Sequence, residues 1–351
     1  MRTRAAMLFG MLSILLSRPA VAVCDVETLQ AVKAVTDRLV RAQLASGPLE
    51  GAWPDEQAYT GAIVAGLVDG YRMTSDEGAW VAALVGGNFI LRAAGGNYYG
   101  DEAYALMCLS LESEEEDAAG MWRFALEEFY ESLSRRGTQG YISQFEQADP
   151  SVAVFYLAHH TVAAFYVNAT DRLLWRQALI DNLVRVEDDS AEAPVMALGI
   201  ATWALASTGT LGDSPLDPDA QETSYWYART LDDLPELLLT HRIPEGELAG
   251  SFYWRFDHRS TIVGGPPGGY TEELVSSALG LAAATDLEDD SERQSAVRQI
   301  GELLVRSVDD EGIIRQHLTL GGEAYYAEAA GVLRALACLA TLPDPVAEST
   351  D

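Results

Sequence analysis

One rhythm constrains this chain more than any other feature. About six times, a helix with a charged face is followed by a loop rich in Gly and aromatics, and then by a helix rich in Ala, Gly, Leu and Val. The small-residue helices begin near Tyr59, Asp101, Ser151, Ala193, Tyr270 and Glu323. Repeats of roughly 45–60 residues that each supply one helix pair make stacked or closed α-arrays, because no single pair can bury its own apolar face. About six pairs are enough to close a ring. The expected fold is therefore all-α: an α/α toroid, a closed barrel of about six helical hairpins. Its small-residue helices form the inner ring and its loops gather at one mouth.

The local patterns place the elements. Over Asp25–Leu44, Leu29, Val32, Val35, Leu39 and Val40 recur mostly at three and four, the period of an amphipathic helix. Its inner partner is expected over Ala58–Arg72. The remaining pairs read Glu77–Ala93 with Asp101–Leu111, Glu114–Arg135 with Ser151–Val167, and Asp171–Val186 with Pro194–Ala206. Leu231–Thr240 with Thr271–Ala284 and Ser291–Val308 with Glu323–Leu339 complete the set. The second member of each pair is apolar on nearly every face, as a helix packed on both sides should be. Gly costs about 1 kcal/mol relative to Ala inside a helix. Its recurrence at Gly61, Gly66, Gly199, Gly280 and Gly331 therefore implies backbones in close approach. Gly250–Asp257 and Gly312–Leu318 alternate and read as short strands at the mouth.

The chain opens with Met1-Arg2-Thr3-Arg4, an apolar run from Ala5 to Leu16, and Ala20-Val21-Ala22. This is the order of a secretory signal peptide cut after Ala22, with an apolar run too short to span a bilayer comfortably. The expected organisation is a signal peptide at 1–22, one toroid domain at 23–342 and a disordered, proline-containing tail at 343–351, in a secreted or periplasmic protein. Val23 stands where a lipobox wants a small residue, which disfavours a lipid anchor on Cys24. Net charge is −30, and Lys33 is the only lysine. Such acidity excludes nucleic acid and anionic membranes as partners. Cys108 and Cys338 fall in apolar helices, where free buried thiols are the ordinary case, with a bridge between them as the alternative.

Gln43 to Trp53, Gln-Leu-Ala-Ser-Gly-Pro-Leu-Glu-Gly-Ala-Trp, resembles the Gln…Gly-x-Trp element of terpenoid-cyclase and prenyltransferase repeats. Val186–Leu198 is similar to the acid motif of squalene–hopene cyclases. Val186 stands where the leading Asp belongs, and Ser190 replaces Thr. The resemblance implies the toroid over most of the mature chain. For function it implies Asp188 or Asp189 as an acid in an apolar cavity, while a signal peptide argues against substrates that lie in the cell membrane.

Four constellations could carry chemistry. Gly250–His258 packs aromatics, Arg255, Asp257 and His258 into one stretch. If extended, it shows Tyr253, Arg255 and Asp257 on one side and Phe252, Trp254 and Phe256 on the other. Asp101-Glu102 and Glu272-Glu273 sit at inner-helix starts, where carboxylates favour the helix dipole and cap free N–H groups. The same acids, converging on the mouth, could supply the protonated and ionised pair that glycoside hydrolysis needs. Tyr156, His159 and His160 lie at i, i+3 and i+4, and so would share one face. Trp53, Tyr99, Tyr253 and Trp254 could stack on sugar rings or plug the mouth. No phosphate loop, dinucleotide fingerprint, serine-hydrolase elbow or zinc motif is present.

The expected function is a secreted carbohydrate-active enzyme, a glycoside hydrolase before a polysaccharide lyase, with a carbohydrate substrate and no cofactor or metal. Asp101 and Glu272 are the acid/base candidates, with Asp257 and Glu102 behind them. Trp53, Tyr99, Tyr253 and Trp254 are the stacking candidates, and His159, Arg255 and His258 complete the substrate-binding set. A lyase would use Tyr253 or His159 as its base. A non-catalytic glycan- or protein-binding toroid and a terpenoid-cyclase-like protein are the alternatives.

Overall fold

The computed structural model describes residues 25–260, 265–285, 291–321 and 325–340. The signal peptide, Cys24 and the tail expected from the sequence lie outside these residues. Thirteen α-helices occur among them. Six hairpins pair α1 (Val26–Ala42) with α2 (Thr60–Thr74), α3 (Glu77–Ala94) with α4 (Gly100–Glu112), and α5 (Glu116–Arg136) with α7 (Pro150–Tyr166). They continue with α8 (Arg172–Leu183) and α9 (Pro194–Ser207), α10 (Leu234–Thr240) and α11 (Thr271–Ala284), and α12 (Ser291–Ser307) and α13 (Tyr326–Ala340). The short α6 (Thr138–Ile142) lies in the third loop. The second helices pack in chain order, α2 on α4, α4 on α7, α7 on α9, α9 on α11 and α11 on α13; α13 then returns to α2 and closes the ring. The protein is an α/α toroid.

Helix starts and stops follow local chemistry. Asp25 caps α1 through the Thr28 N–H at 2.8 Å, and Asp76 caps α3 through the Gly78 N–H at 2.8 Å. Pro150 and Pro194 occupy first positions, where a missing N–H costs nothing. Outer helices bury one stripe; in α1 it is Ala31, Val32, Val35, Thr36 and Leu39. Inner helices are buried nearly throughout, as α2 is from Thr60 to Gly70. Inner backbones touch where glycine permits it. A Cβ on Gly199 would come within 2.6 Å of the Ser276 carbonyl carbon, and one on Gly66 within 2.5 Å of the Ala330 oxygen.

The Gln…Gly-x-Trp element is a splice. Gln43 donates its amide to Gly51 O at 3.0 Å and to Ala82 O at 2.8 Å, tying α1 to its loop and to α3. Trp53 turns back and donates to Leu39 O at 2.8 Å.

Three expectations are corrected. Gly250–Asp257 and Gly312–Leu318 form isolated bridges, among them Arg242 with Phe252, Tyr253 with Gly268 and Tyr270 with His317, instead of strands. The first stretch breaks because the Phe256 and Asp257 N–H groups turn onto the Asp188 carboxylate. The second is short because Asp309–Gly312 is a tight turn with Gly312 at φ 77. Finally, Tyr156, His159 and His160 do not all share a face, although Tyr156 and His160 both pack on Phe145. His159 points to the ring axis, against Tyr104 and Trp203, while His160 points outward onto Trp175 at 4.5 Å. Cys108 and Cys338 are not joined by a disulfide. No helix among the described residues is long and apolar enough to cross a membrane.

Candidate active site at the mouth of the ring

All six inner helices run in the same direction, so their N-termini meet at one mouth. Tyrosines stand at four of these starts. Tyr59, Tyr99 and Tyr270 occupy the N-cap positions of α2, α4 and α11, and Tyr325 precedes α13. Tyr59, Tyr99 and Tyr325 are exposed. Tyr99 lies 5.6 Å from the ring of Tyr156, and Trp254 lies 4.6 Å from the ring of Tyr270. The rim is aromatic, and amphipathic rings with exposed faces suit sugars.

Inside the rim are carboxyls. On α4, Asp101 is 1% exposed and accepts the Ala62 N–H of α2 at 3.1 Å through Oδ2. Its Oδ1 has no hydrogen-bond partner. Glu102 accepts the Tyr99 N–H at 2.8 Å, closing a cap on its own helix. Burial pushes Asp101 up to about 6 and Glu102 up to about 7.

A second group lies between α11 and α13. Glu272 is reached by solvent, Glu328 is 9% exposed and Glu273 is fully buried. No oxygen of Glu273 or Glu328 has a well-formed hydrogen bond. Glu328 faces the Glu272 carboxyl, and two carboxyls bond only when one carries a proton. Burial, reinforced by the Glu272 charge, pushes Glu328 up to about 8. Glu272 is raised by the protein mass around it and lowered by the Glu328 bond. The pair therefore keeps its proton mainly on Glu328 and its charge on Glu272, although the titration belongs to the pair. Burial also raises Glu273 well above the usual carboxylate range. Glu56 completes the arc, its carboxylate accepting the Tyr326 and Ala327 N–H groups at 2.6 and 2.9 Å and so capping α13.

The mouth has a floor. Arg334, 4% exposed, lies 4.5 Å from the Tyr104 ring centroid and 5.1 Å from that of Trp203. His159 donates from Nδ1 to Phe155 O at 2.8 Å, which leaves Nε2 to accept from Arg334 at 2.8 Å. Arg72 bonds both Asp69 and Glu112 at 2.8 Å nearby. Two surface depressions, beside Ile142 and beside Val85, lie on the outer shell.

The sequence candidates separate on this geometry. Asp101, Glu102, Glu272 and Tyr99 are at the mouth. Asp101 and Glu272 are not a contacting pair; each has its own carboxyl neighbour, Glu102 and Glu328. Trp53 is fully buried core and cannot stack on a ligand. His159 has both ring nitrogens committed, and burial holds it neutral, so it is no free base. Arg255 lies 3.5–3.7 Å from Asp188, Asp189 and Asp257. Asp188 in turn accepts the Phe256 and Asp257 N–H groups at 2.8 and 2.7 Å. Arg255 and Asp257 thus brace the loop instead of presenting to substrate. Asp189 is fully solvent-exposed, the opposite of an acid in an apolar cavity. His258 bonds His241 at 3.1 Å and stacks on Tyr253 at 4.0 Å. Trp254 donates to Glu192 O at 2.5 Å.

Sequence reasoning passed over Glu56, Glu328, Tyr59 and Arg334. A signal for Glu328 existed. Tyr99…Glu102, Tyr270…Glu273 and Tyr325…Glu328 repeat Tyr-x-x-Glu at three inner-helix starts, each with Glu at the third helical position.

No protein-family profile matches the chain, and no curated protein matches it by sequence. Solved structures do match in fold. An unsaturated glucuronyl hydrolase specific for heparin superposes with a TM-score of 0.61 at 12% identity, over 90% of this chain and 98% of its own. The unsaturated glucuronyl hydrolase of Bacillus sp. GL1, responsible for the degradation of glycosaminoglycan, gives 0.55 at 16% identity, over 88% and 95%. A third structure, named with the saccharide dGlcA-Glc-Rha-Glc, gives 0.55 at 16%. What this chain shares with them is the ring.

Proposed function

We propose that this protein is a carbohydrate-active enzyme, a glycoside hydrolase, working at the mouth of the ring. The observation that carries the reading is the placing of carboxyls on two walls of one aromatic-rimmed mouth. Asp101 and Glu102 stand on α4, and Glu272 with Glu328 on α11 and α13. Glycoside hydrolysis needs one carboxyl that gives a proton to the leaving oxygen and one that is ionised. Asp101 and Glu102, raised to about 6 and 7 by burial, are suited to give a proton near neutral pH. Glu272 is open to solvent and carries the charge of its pair, so it is suited to draw a proton from water. Glu328 holds Glu272 in that state. The unsaturated glucuronyl hydrolases that share the fold support the reaction class. The lyase alternative loses its histidine base, because the His159 lone pair is already taken.

The test is turnover on a panel of oligosaccharides, reading reducing-sugar release beside the absorbance of unsaturated products. Asp101→Asn, Glu102→Gln and Glu272→Gln are run in parallel, with circular dichroism to confirm folding. The wild type is expected to release sugar without the chromophore, with kcat/KM falling above about pH 7 as the donor ionises. Glu272→Gln and at least one α4 variant are expected to lose on the order of 10²–10⁴ in rate. Wild-type rates in all three variants overturn the reading. A second reading, glycan binding without turnover, is favoured by the filled axis beneath the mouth. Saturable binding by folded protein that cleaves nothing would establish it.

A further inference from the structure

Three inner helices begin with the same Tyr-x-x-Glu, yet the three glutamates do different things. Glu102 spends its carboxylate on the Tyr99 N–H and caps its helix. Glu273, fully buried at the equivalent position of α11, leaves both oxygens without a partner, and Glu328 on α13, 9% exposed, meets only the Glu272 carboxyl and the Tyr325 backbone. A buried acceptor without a donor is costly and calls for a reason.

Among the described residues no cation bonds Glu273 or Glu328, although Arg38 lies over the Tyr326 ring and His317 against the Tyr270 ring. The charges that act on Glu272, Glu273 and Glu328 come from one another and from Glu56. The internal stretches 261–264, 286–290 and 322–324 contain no Lys, Arg or His. Among the described residues, no group of three or more His, Cys, Asp or Glu side chains is set to hold a metal ion. Without a ligand, the available compensation is protons. With one, the best match is a compact organic cation with several N–H donors. The rings around the group suit such a cation as well. Tyr270 and Tyr325 stand at the starts of the same two helices, and Trp254 packs against Tyr270. Aromatic faces attract ammonium.

We infer that the α11–α13 side of the mouth is a subsite for an amine-bearing, positively charged sugar residue, whose ammonium bonds Glu272 and Glu328 above the buried Glu273. The inference rests on the mouth being a sugar site, as proposed above. It departs from the uronate-type saccharides named for the structures that share the fold. Free carboxylates repel such anions, and the buried cation Arg334, whose Nη1 bonds His159 while Nε and Nη2 lack partners, stands six residues further along α13 than Glu328, on the floor and not among these acids. Binding an ammonium here displaces the proton held between Glu272 and Glu328, so affinity and proton release are linked.

The experiment is calorimetric titration of the full chain with a glucosamine disaccharide, its N-acetylated counterpart and a uronate-terminated disaccharide. Titrations run at pH 6–8, in two buffers of different ionisation heat. The amine is expected to bind about ten- to a hundredfold more tightly than the N-acetylated sugar, the range for a charge-assisted bond. Proton release should accompany it, and the uronate should bind weakest. Glu273→Gln and Glu328→Gln, each checked for fold, should shrink both the preference and the proton release. Equal or tighter binding of the N-acetylated or uronate sugar overturns the inference, as does amine binding with no proton release. Amine binding without turnover on any glycoside refutes the hydrolase reading and upholds this one. Cleavage of neutral or uronate-ended chains with amino sugars ignored does the reverse.

Discussion

Asp101→Asn isolates the electrostatics of the mouth while leaving its shape intact. The Asp101 carboxyl is 1% exposed, and burial moves it from 3.8 to about 6 against the opposing pull of the Ala62 N–H. In the unfolded chain it titrates at its ordinary value. Between those two values the folded state holds the extra proton, so the stability associated with this group falls as pH rises and levels off above about 6. The shift, 6 − 3.8 = 2.2 units, corresponds at about 1.4 kcal/mol per unit to about 3 kcal/mol, of which about 2–3 kcal/mol accrues between pH 4 and 7. Asn does not titrate, and its carbonyl oxygen can keep the Ala62 bond. The variant should therefore gain about 2–3 kcal/mol on the wild type across that interval, a relative rise in melting temperature of roughly 3–5 °C for a chain of this size. Urea and thermal melts of both proteins at half-unit pH steps measure the difference directly, and the large background titration of an acidic protein cancels. A difference independent of pH refutes the reasoning. A variant that loses ground as pH rises would mean that the start of α2 holds the carboxylate ionised and that burial loses the contest.

Two further substitutions test the structural assignments made against the sequence reading. Trp53→Phe keeps the ring but loses the bond to Leu39 O; it should cost about 1 kcal/mol in denaturant titrations while leaving sugar binding unchanged, and a loss of binding at unchanged stability would return Trp53 to the site. Asp188→Ala removes the acceptor of the Phe256 and Asp257 N–H groups and one partner of Arg255; limited proteolysis should then cut first within 254–260, and a pattern identical to wild type would show that the loop does not need this clamp.

The hairpins were legible because their cause is local. Spacing at three and four, caps at Asp25 and Asp76, and prolines at first positions place each helix within a few residues. Gly66 and Gly199 announced the close inner packing by their cost alone. The acids at the mouth were half legible. Asp101, Glu102 and Glu272 stood out as carboxylates at helix starts, but their pairing did not, since Glu328 reaches Glu272 only once the ring is closed. Arg255 and Asp257 looked like a ligand set because a short polar segment carries no record of Asp188, nearly seventy residues earlier, whose carboxylate turns it inward. Trp53 looked like a platform for the same reason, with its partner Leu39 hidden on the preceding helix. Tyr-x-x-Glu was readable three times over, and comparing the three helix starts would have found Glu328.

The Glu56 cap on α13 has a consequence for how the molecule is made. The residues it joins are 270 positions apart, and α2 and α13 are the ring's last seam. During synthesis at 5–20 residues per second, the first hairpin therefore exists for about 15–55 s before its second neighbour emerges. Throughout that time the Gly66 face of α2, which Ala330 later covers, is an open edge. An open array could add units indefinitely. A ring must refuse its own repeats until the right one arrives, and a carboxylate matched to the start of a single helix is a means of telling that helix from the others.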